Sequence, residues 1–357
     1  MKRILIICLA LCLLLCGCGV KEAVDTTATT AATTEATMET TTETTEAPVL
    51  YRHPLTGEPL KQPFSGQVTT VVINNLKACL PQFGIASADN YYEVETEGGI
   101  TRCLAVYTDL TDVASIGPVR SVRTFFNSIT AGYGGVVIHC GGSVNGLKGW
   151  YSDTTALSDW KHIDQRHNGS FFFRDASRKA QGYATEHTLF TTGEKLLEAL
   201  SAKKLVKAEN LDFGMQFEDE VALQGEAAKT VTITFNGKKT TTMTYDAAAG
   251  KYKMSQYGGN TVDAGTGEQM AFENVIALYT KQWKIHDGYY SRSYYDLIGE
   301  GNGYLAIDGV IVPIKWSRES VDKPFVYTLA DGTPVTLKAG KTYVAISSLK
   351  AKEIAYK

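Results

Sequence analysis

Short segments rich in β-branched and aromatic residues, separated by Asn-Gly and Asp-Gly turns, fill the second half of this 357-residue chain. KTVTITFNGKKTTTMTY alternates apolar and polar residues on both sides of Asn236-Gly237, which is typical of a two-residue hairpin. KYKMSQY predicts a third strand, and the pattern continues through NVIALYT, YYDLIG, GYLAIDGVIVPIKW, PFVYTL and TYVAIS. This succession of strands predicts a β-rich unit over residues 206–357.

The preceding part of the chain mixes strand and helix patterns. VTTVVINN predicts a buried strand, YYEVETEGGITRCLAVYTD predicts two strands joined at Gly98-Gly99, and GGVVIHCGGS predicts a strand that runs into a glycine turn. TGEKLLEAL has the spacing of a short helix. We therefore predict an α+β protein, in which a mixed α/β unit with a sheet and packed helices occupies residues 49–205 and precedes the β-rich unit.

The N-terminus has the layout of an export signal, since Lys2 and Arg3 precede an apolar run that is too short to span a bilayer comfortably. The run ends in Leu-Cys-Gly-Cys, which resembles a bacterial lipobox. We predict a lipoprotein signal peptide over residues 1–17 and lipid attachment at Cys18, through which the protein would meet the bilayer. An ordinary secretory signal with incidental cysteines is the alternative.

Residues 18–48 consist almost entirely of Thr, Ala and Glu after the cysteine. They contain too few large apolar side chains to form a core, so we predict a disordered tether. A tether behind a lipid would hold the folded part at the outer face of the cytoplasmic membrane, as is common in Gram-positive bacteria. The chain has a formal net charge of −3, which argues against nucleic acid as its partner.

Cysteine spacing excludes the common cysteine-based sites. Three cysteines, Cys79, Cys103 and Cys140, remain after the N-terminal four, and none has the spacing of a metal site. An odd number also argues against a disulfide framework, so we expect small buried thiols. His286-Asp287 has no third ligand at a readable spacing, and we predict neither a metal site nor a cofactor.

Arginines provide the strongest indication of a site. In IGPVRSVRTFF, Pro118 fits the first position of a helix, and this would place Arg120 and Arg123 in its first turn, against the helix dipole. Arg102 shares a strand face with apolar residues and needs a negative partner there. That partner is either a structural carboxylate, with Glu93, Glu95 and Glu97 as candidates, or a bound anion.

Other polar residues complete the candidate site, and each of them could instead have a purely structural role. Asn127 would lie on the flank of the predicted helix, and His139 precedes a Gly-Gly-Ser turn that lacks the spacing of a nucleotide-binding motif. A single histidine of this kind is more often a core residue than a catalyst. Arg174 and His187 add cations to the same half of the chain. The aromatic residues Trp283, Tyr289, Tyr290, Tyr294, Tyr295 and Trp316 would form either core or a sugar-stacking platform.

Several segments together resemble a known family. HPLTGEPL, PQFGIASADNYYEVETEGGITRCLAVY, IGPVRSVRTFF and HCGGS, in this order behind a lipobox, are similar to the YerB-like bacterial lipoproteins, the family of domain of unknown function 3048. The resemblance extends from His53 to the C-terminus. It departs at Leu80, where the family has arginine, and at Glu186 and Thr188, which stand in place of proline and asparagine. The resemblance implies a membrane-anchored surface protein with two units and carries no established activity.

Three classes of function follow. The arginines without an obvious nucleophile favour a binding module for an anionic cell-envelope ligand or a partner protein of the membrane. A hydrolase or transferase of envelope polymers, with Glu97 as general base, is the second, although no familiar catalytic motif supports it. The third is a structural or assembly protein in which every charged cluster is an internal ion-pair network.

Overall fold

The computed structural model describes residues 51–148, 161–206, 209–210, 212–236, 239–351 and 354–357. The predicted signal peptide, Cys18, the tether and Gly237 lie outside the described residues. None of the helices in the described residues is both long and apolar enough to cross a membrane.

Strands dominate the described residues. The α-helices are α1 (Thr124–Gly132), α2 (Val144–Leu147), α3 (Ala176–Ala180) and α4 (Gly193–Ala202). The strands of the first part are β1 (Tyr51–Arg52), β2 (Pro59–Leu60), β3 (Ser65–Gly66), β4 (Thr69–Asn74), β5 (Asn90–Glu95), β6 (Thr101–Tyr107), β7 (Val136–His139), β8 (His162–Asp164), β9 (Phe173–Arg174) and β10 (Leu189–Phe190). The strands that follow α4 are β11 (Glu209–Asn210), β12 (Gln216–Glu218), β13 (Glu226–Ala227), β14 (Thr230–Asn236), β15 (Lys239–Asp246), β16 (Lys251–Gln256), β17 (Gly259–Asn260), β18 (Ala271–Phe272), β19 (Asn274–Thr280), β20 (Gln282–His286), β21 (Ser291–Tyr295), β22 (Gly299–Ile307), β23 (Val310–Arg318), β24 (Val326–Leu329), β25 (Thr336–Lys338), β26 (Thr342–Ser348) and β27 (Ala355–Tyr356).

An eleven-stranded mixed sheet, here called the central sheet, forms the middle of the fold. Its strand order is β13-β23-β22-β19-β26-β5-β6-β4-β7-β8, and β24 also pairs with β23. Both halves of the chain contribute, since β26 pairs in parallel with β5 on one side and with β19 on the other. The predicted unit boundary at residue 205 follows the end of α4 and stays a prediction.

The predicted hairpin of the second half is confirmed. β14 and β15 pair antiparallel, and β16 adds the third strand to a six-stranded sheet. Alternate residues of these strands are buried, such as Val231, Ile233 and Met254. They pack in one core with the side of the central sheet that carries Tyr91 and Cys103. The fold is therefore α+β and rich in strand, as the sequence predicts.

The opposite side of the central sheet has its own core. Val72, Val94 and Leu104 pack there, and α1 contributes Phe126 and Ile129. Because successive residues of a strand point to opposite sides, each strand of the central sheet supplies both cores. Glu93 and Arg102 thus belong to opposite sides of the same pair of strands.

The predicted helix start at Pro118 is wrong. The helix α1 begins at Thr124, and the residue that caps it is Arg123, whose backbone is extended. Gly117-Pro118 is a cis peptide, Val119 forms an isolated bridge to Ile73 of β4, and Val122 forms one to Gly142 in the turn after β7. Backbone pairing with β4 therefore keeps this segment extended, although the spacing of its apolar residues is typical of a helix.

The cysteines agree only in part with the expectation of buried thiols. Cys79 and Cys103 are buried, and burial raises the pKa of Cys79 to about 12. Cys140 is only partly buried, and its pKa is also raised, mainly by burial. A raised pKa keeps a thiol protonated, so none of the three is an activated nucleophile.

Candidate functional site

The segment between Ile116 and Arg123 crosses the ends of two strands of the central sheet. Arg120 N–H donates to the carbonyl of Val72 in β4 at 2.8 Å, and the N–H of Cys140, after β7, donates to the carbonyl of Arg120 at 3.0 Å. Val122 N–H donates to the carbonyl of Gly141 at 3.0 Å. These bonds fix the backbone of the segment, and the arginine side chains project from a rigid support.

The glycines of the HCGGS turn allow this close approach. A Cβ on Gly142 would lie 2.7 Å from a methyl carbon of Val122 and 3.1 Å from its carbonyl oxygen. Gly141 has a φ of 64°, which disfavours other residues. The turn therefore allows the segment to pack closely against it. This structural role agrees with the glycine spacing of the turn, which is not that of a nucleotide-binding motif.

Arg102 lies at the start of β6 on the side of the apolar residues Val94 and Leu104, as predicted. Only 6% of its surface is exposed. Its guanidinium donates one hydrogen bond, from NH1 to the carbonyl of Ser121 at 2.9 Å. Its Nε is buried and has no hydrogen-bond partner among the described residues, and no described carboxylate forms an ion pair with it. A buried guanidinium with unused donors is costly without a negative partner.

The charges around Arg102 increase this cost. The pKa of Arg102 lies well below its usual range, first because burial penalises its charge and then because Arg123 and Arg120 repel it. Glu97 offsets part of the repulsion, and Arg292 adds to it. We call Arg102, Arg120, Arg123 and Arg292 the arginine cluster.

Arg123 has the structural carboxylate that the sequence allowed. Its Nε donates to Oε1 of Glu97 at 2.9 Å and its NH2 donates to Oε2 at 2.8 Å, so the pair is bidentate. Arg123 is buried, and its NH1 donates to the carbonyl of Val122. Burial alone would raise the pKa of Glu97, but the hydrogen bonds and charge of Arg123 and the charge of Arg102 together lower it. Of the three candidate carboxylates, Glu97 fills this role.

Arg120 differs from Arg123 although the two lie three positions apart. Its nearest carboxylate is Glu186, at 3.8 Å from NH2, and Glu186 is half exposed. The Nε of Arg120 is buried and has no hydrogen-bond partner among the described residues. Arg120 therefore has a distant, solvated counterion where Arg123 has a close, buried one.

His187 lies beside Arg120 and joins the cluster to β4. The side-chain amide of Asn74 donates to Nδ1 of His187 at 2.9 Å, and Nε2 of His187 lies 3.9 Å from Glu186. Burial lowers the pKa of His187, and Arg120 is among the charges that lower it further. His187 is therefore neutral near pH 7.

A hairpin from the second half of the chain covers the cluster, and sequence reasoning missed it. The strands β20 and β21 pair over residues 282–295, and Ser293 N–H donates to Oε1 of Glu97 at 3.2 Å. Arg292 lies 3.7 Å from Glu97 through NH1 and 2.8 Å from Asp287 through Nε. The available signal was an arginine next to two tyrosines in the short segment SRSYY.

His139 is a core residue, which is the structural alternative stated for it. It is fully buried, its Nδ1 donates to the carbonyl of Gly141 at 2.9 Å, and Nε2 lies 3.0 Å from Nδ1 of His162. Burial lowers the pKa of His139 to about 4. Asp164, at the end of β8, receives a hydrogen bond from Gly141 N–H and binds Arg166. These residues stabilise the end of β7.

Asn127 and Arg174 do not contribute donors to the arginine cluster. The amide of Asn127 donates to the carbonyl of Gly146 at 3.0 Å and ties α1 to α2. Arg174 is exposed, and its guanidinium donates to the carbonyl of Thr185 at 2.5 Å. The structure thus brings together Glu97, Arg102, Arg120, Arg123 and His187 from the predicted set.

The fold separates the six aromatic residues. Tyr294, Tyr295 and Trp316 are buried, in agreement with the core alternative, so the six do not form one platform. Trp283 is partly buried and stacks on Tyr294 at 6.1 Å. Tyr289 and Tyr290 are exposed at the tip of the hairpin.

Glu97 is poorly suited to act as a general base. Both of its oxygens accept hydrogen bonds from Arg123, one accepts from Ser293, and its lowered pKa weakens its basicity. No group of three metal-ligating side chains occurs in the described part of the chain, where Asp287 is bound to Arg292. The geometry of the cluster favours anion recognition over proton transfer.

Comparisons with known proteins agree with the family resemblance. Residues 55–206 match the family "Protein of unknown function (DUF3048) N-terminal domain", and residues 231–344 match the corresponding C-terminal domain. A curated relative from Bacillus subtilis (strain 168), named "Putative lipoprotein YerB", is 27% identical over 309 residues, which are 82% of this chain and 88% of the relative.

A solved structure has the same fold. The crystal structure of YerB protein from Bacillus subtilis aligns with a TM-score of 0.72 and 24% sequence identity. The alignment covers 85% of this chain and 99% of the other. This alignment shows the fold, and the two matched family domains show the family of the chain.

Proposed function

We propose that the folded part of this chain, which belongs to the YerB-like family, is a binding module for an anionic ligand of the cell envelope. The observation that carries the proposal is Arg102, a buried arginine with an unpaired Nε and no carboxylate partner among the described residues. An incoming phosphate or carboxylate would supply the negative charge and the hydrogen-bond acceptors that this guanidinium lacks.

The neighbours of Arg102 support an anion rather than a neutral ligand. Arg120 has only a distant carboxylate, and its buried Nε is also unpaired within the described ranges. The N-terminus of α1 follows Arg123 directly, and its dipole adds positive potential. Glu97 neutralises Arg123, so Arg102 and Arg120 are the donors available to the ligand.

We place the protein at the outer face of the cytoplasmic membrane of a Gram-positive bacterium, held by lipid on Cys18. The lipobox and the relative's printed name support this placement. Labelling cells with a radioactive fatty acid tests it, because the Cys18→Ala protein should take up no label. Labelled Cys18→Ala protein would contradict the anchor.

The binding test uses inorganic phosphate, pyrophosphate and a glycerol-phosphate oligomer as probes in isothermal titration. Arg102→Met and Arg120→Gln should each weaken binding by about tenfold or more, because each removes a charge-assisted hydrogen bond. Arg174→Ala is the matched control, since it removes an exposed arginine of the same half and should change nothing.

The same titrations separate binding from a structural role. Absence of binding by all three probes, or equal binding by wild type and Arg102→Met, would overturn the proposal. Binding should also weaken as salt is raised, since part of the attraction is between exposed charges.

A further inference from the structure

The tip of the β20–β21 hairpin presents two tyrosines to solvent. Tyr289 is 77% exposed and Tyr290 is 64% exposed, whereas Tyr294 and Tyr295 of the same hairpin are buried. Exposure of a large aromatic side chain to water is unfavourable. A pair of exposed tyrosines on one turn therefore indicates a contact surface.

The turn that carries these tyrosines is rigid. The carboxylate of Asp287 accepts hydrogen bonds from the N–H groups of Tyr289 at 3.1 Å and Tyr290 at 2.9 Å. The same carboxylate binds Nε of Arg292 at 2.8 Å, and Asp287 N–H donates to the carbonyl of Tyr290 at 3.0 Å. Because the turn is already ordered, binding through the tyrosines costs little conformational entropy.

Direct contacts connect the tip with the arginine cluster. The guanidinium carbon of Arg292 lies 4.7 Å from the centre of the Tyr290 ring. Arg292 also lies 3.7 Å from Glu97, which is bound by Arg123. Through Arg292, the exposed ring of Tyr290 thus adjoins the arginine cluster on the side where Arg120 and Arg292 are partly exposed.

We infer that this surface binds an anionic saccharide, a sugar that carries phosphate or carboxylate. The arginines would take the negative group, and the tyrosine rings would pack against the C–H face of the sugar while their hydroxyls meet its polar edge. This inference rests on the proposed function, because it assigns the charged part of the ligand to the arginine cluster.

A membrane surface fits the tip less well than a sugar does. The tip sequence from His286 to Ser291 contains no aliphatic side chain that could insert among acyl chains. Both tyrosines carry a hydroxyl that would need a partner in hydrocarbon. Binding to lipid vesicles is therefore treated as an outcome of the test.

The test compares three probes in isothermal titration: N-acetylglucosamine 1-phosphate, inorganic phosphate and uncharged N-acetylglucosamine. Wild type should bind the sugar phosphate about fivefold tighter than inorganic phosphate, which corresponds to one aromatic stacking contact. Tyr289→Ala and Tyr290→Ala should remove this advantage and leave the affinity for inorganic phosphate unchanged. Tyr51→Ala, at another exposed tyrosine, is the matched control.

A fourth variant and a measurement of binding to lipid vesicles distinguish the remaining alternatives. Tyr290→Phe keeps the ring over Arg292 and should keep most of the advantage. Equal affinity for sugar phosphate and inorganic phosphate in wild type would overturn the inference and leave the proposed function intact. Failure of both probes would also overturn the inference, and the proposed function falls only if pyrophosphate and the glycerol-phosphate oligomer fail to bind as well. Tyrosine-dependent binding to phosphatidylglycerol vesicles, without sugar-phosphate binding, would replace the saccharide by a membrane.

Discussion

Two charged clusters lie on opposite sides of the strands β5 and β6, and they are built in opposite ways. Glu93 faces the core shared with the six-stranded sheet, and Arg102 faces the core that contains α1. Both side chains are buried. One cluster is closed by partners from the protein, whereas the other keeps unpaired donors.

The closed cluster satisfies each of its charges. Glu93 is fully buried and accepts hydrogen bonds from an amide, three hydroxyl groups and an ammonium group; the donors are Asn75, Thr101, Thr241, Tyr343 and Lys239. The ion pair with Lys239 spans 3.0 Å and joins the central sheet to the six-stranded sheet. Burial alone would raise the pKa of Glu93, but Lys239 and the hydrogen bonds from Thr101 and Tyr343 together lower it.

Arg318 gives a second example of a closed site. Its guanidinium donates to the Ser128 hydroxyl and to the carbonyls of Ser128, Val321 and Lys323, at 2.6 to 2.8 Å. Among the buried arginines of the described residues, Arg102 has a single carbonyl acceptor and is the one whose Nε is buried without a hydrogen-bond partner. The contrast teaches that burial alone does not indicate a site; the unpaired donors do.

The largest effect should come from opening the closed cluster. Glu93→Gln keeps the shape of the side chain but leaves Lys239 buried without a counterion, which should cost about 3 to 5 kcal/mol of unfolding free energy. Urea denaturation followed by circular dichroism measures this loss. A change of less than about 1 kcal/mol would show that the two clusters are not energetically different.

A smaller effect, with a distinct pH dependence, should follow from Glu97→Gln. Glu97 is partly exposed, so removal of its charge should cost about 2 to 3 kcal/mol at pH 7. Its folded pKa lies below the unfolded value of about 4.3, so its contribution is present above that pH and disappears as pH falls through the folded pKa.

The difference between wild type and Glu97→Gln should therefore shrink as the solution is acidified below about pH 4.3. Urea denaturation of both proteins at a series of pH values measures it. A difference that stays constant down to pH 2, on the order of two units below the unfolded pKa, would contradict the role of the Glu97 charge.

The smallest effect should come from Arg102→Met. The substitution loses one hydrogen bond to Ser121 but also removes a desolvated charge that three arginines repel, so stability should change by about 1 kcal/mol or less. The same denaturation measurement applies, in buffer without phosphate. A loss above about 3 kcal/mol would place Arg102 with the closed clusters and argue for a purely structural role.

Most of the fold was predictable because strand signals are local. The alternation in KTVTITF and TTTMTY and the turn at Asp308-Gly309 depend on neighbours in sequence, and the strands appear where they were expected. The helix start at Pro118 was wrong because the segment found hydrogen-bond partners in β4 and β7, far away in sequence. Helical spacing cannot report such partners.

Only those residues of the candidate site that come from the first half of the chain were predictable. Arg102, Arg120, Arg123 and Glu97 lie within 27 residues of one another, and the motifs that carry them are visible in the sequence. Arg292 comes from a hairpin nearly 170 residues later, and only the tertiary fold brings it to Glu97. Likewise, Glu97 pairs with arginine because it lies in the turn between β5 and β6, whereas Glu93 lies within β5 and faces the core shared with the six-stranded sheet.

The position of β26 in the central sheet has a consequence for the order of assembly. This strand, near the C-terminus, lies between β5 and β19 and pairs Asn90 with Thr342. A nascent chain that has not yet delivered β26 has two open strand edges in the interior of its sheet. Because this pairing closes a very long loop, the middle of the sheet joins late in folding.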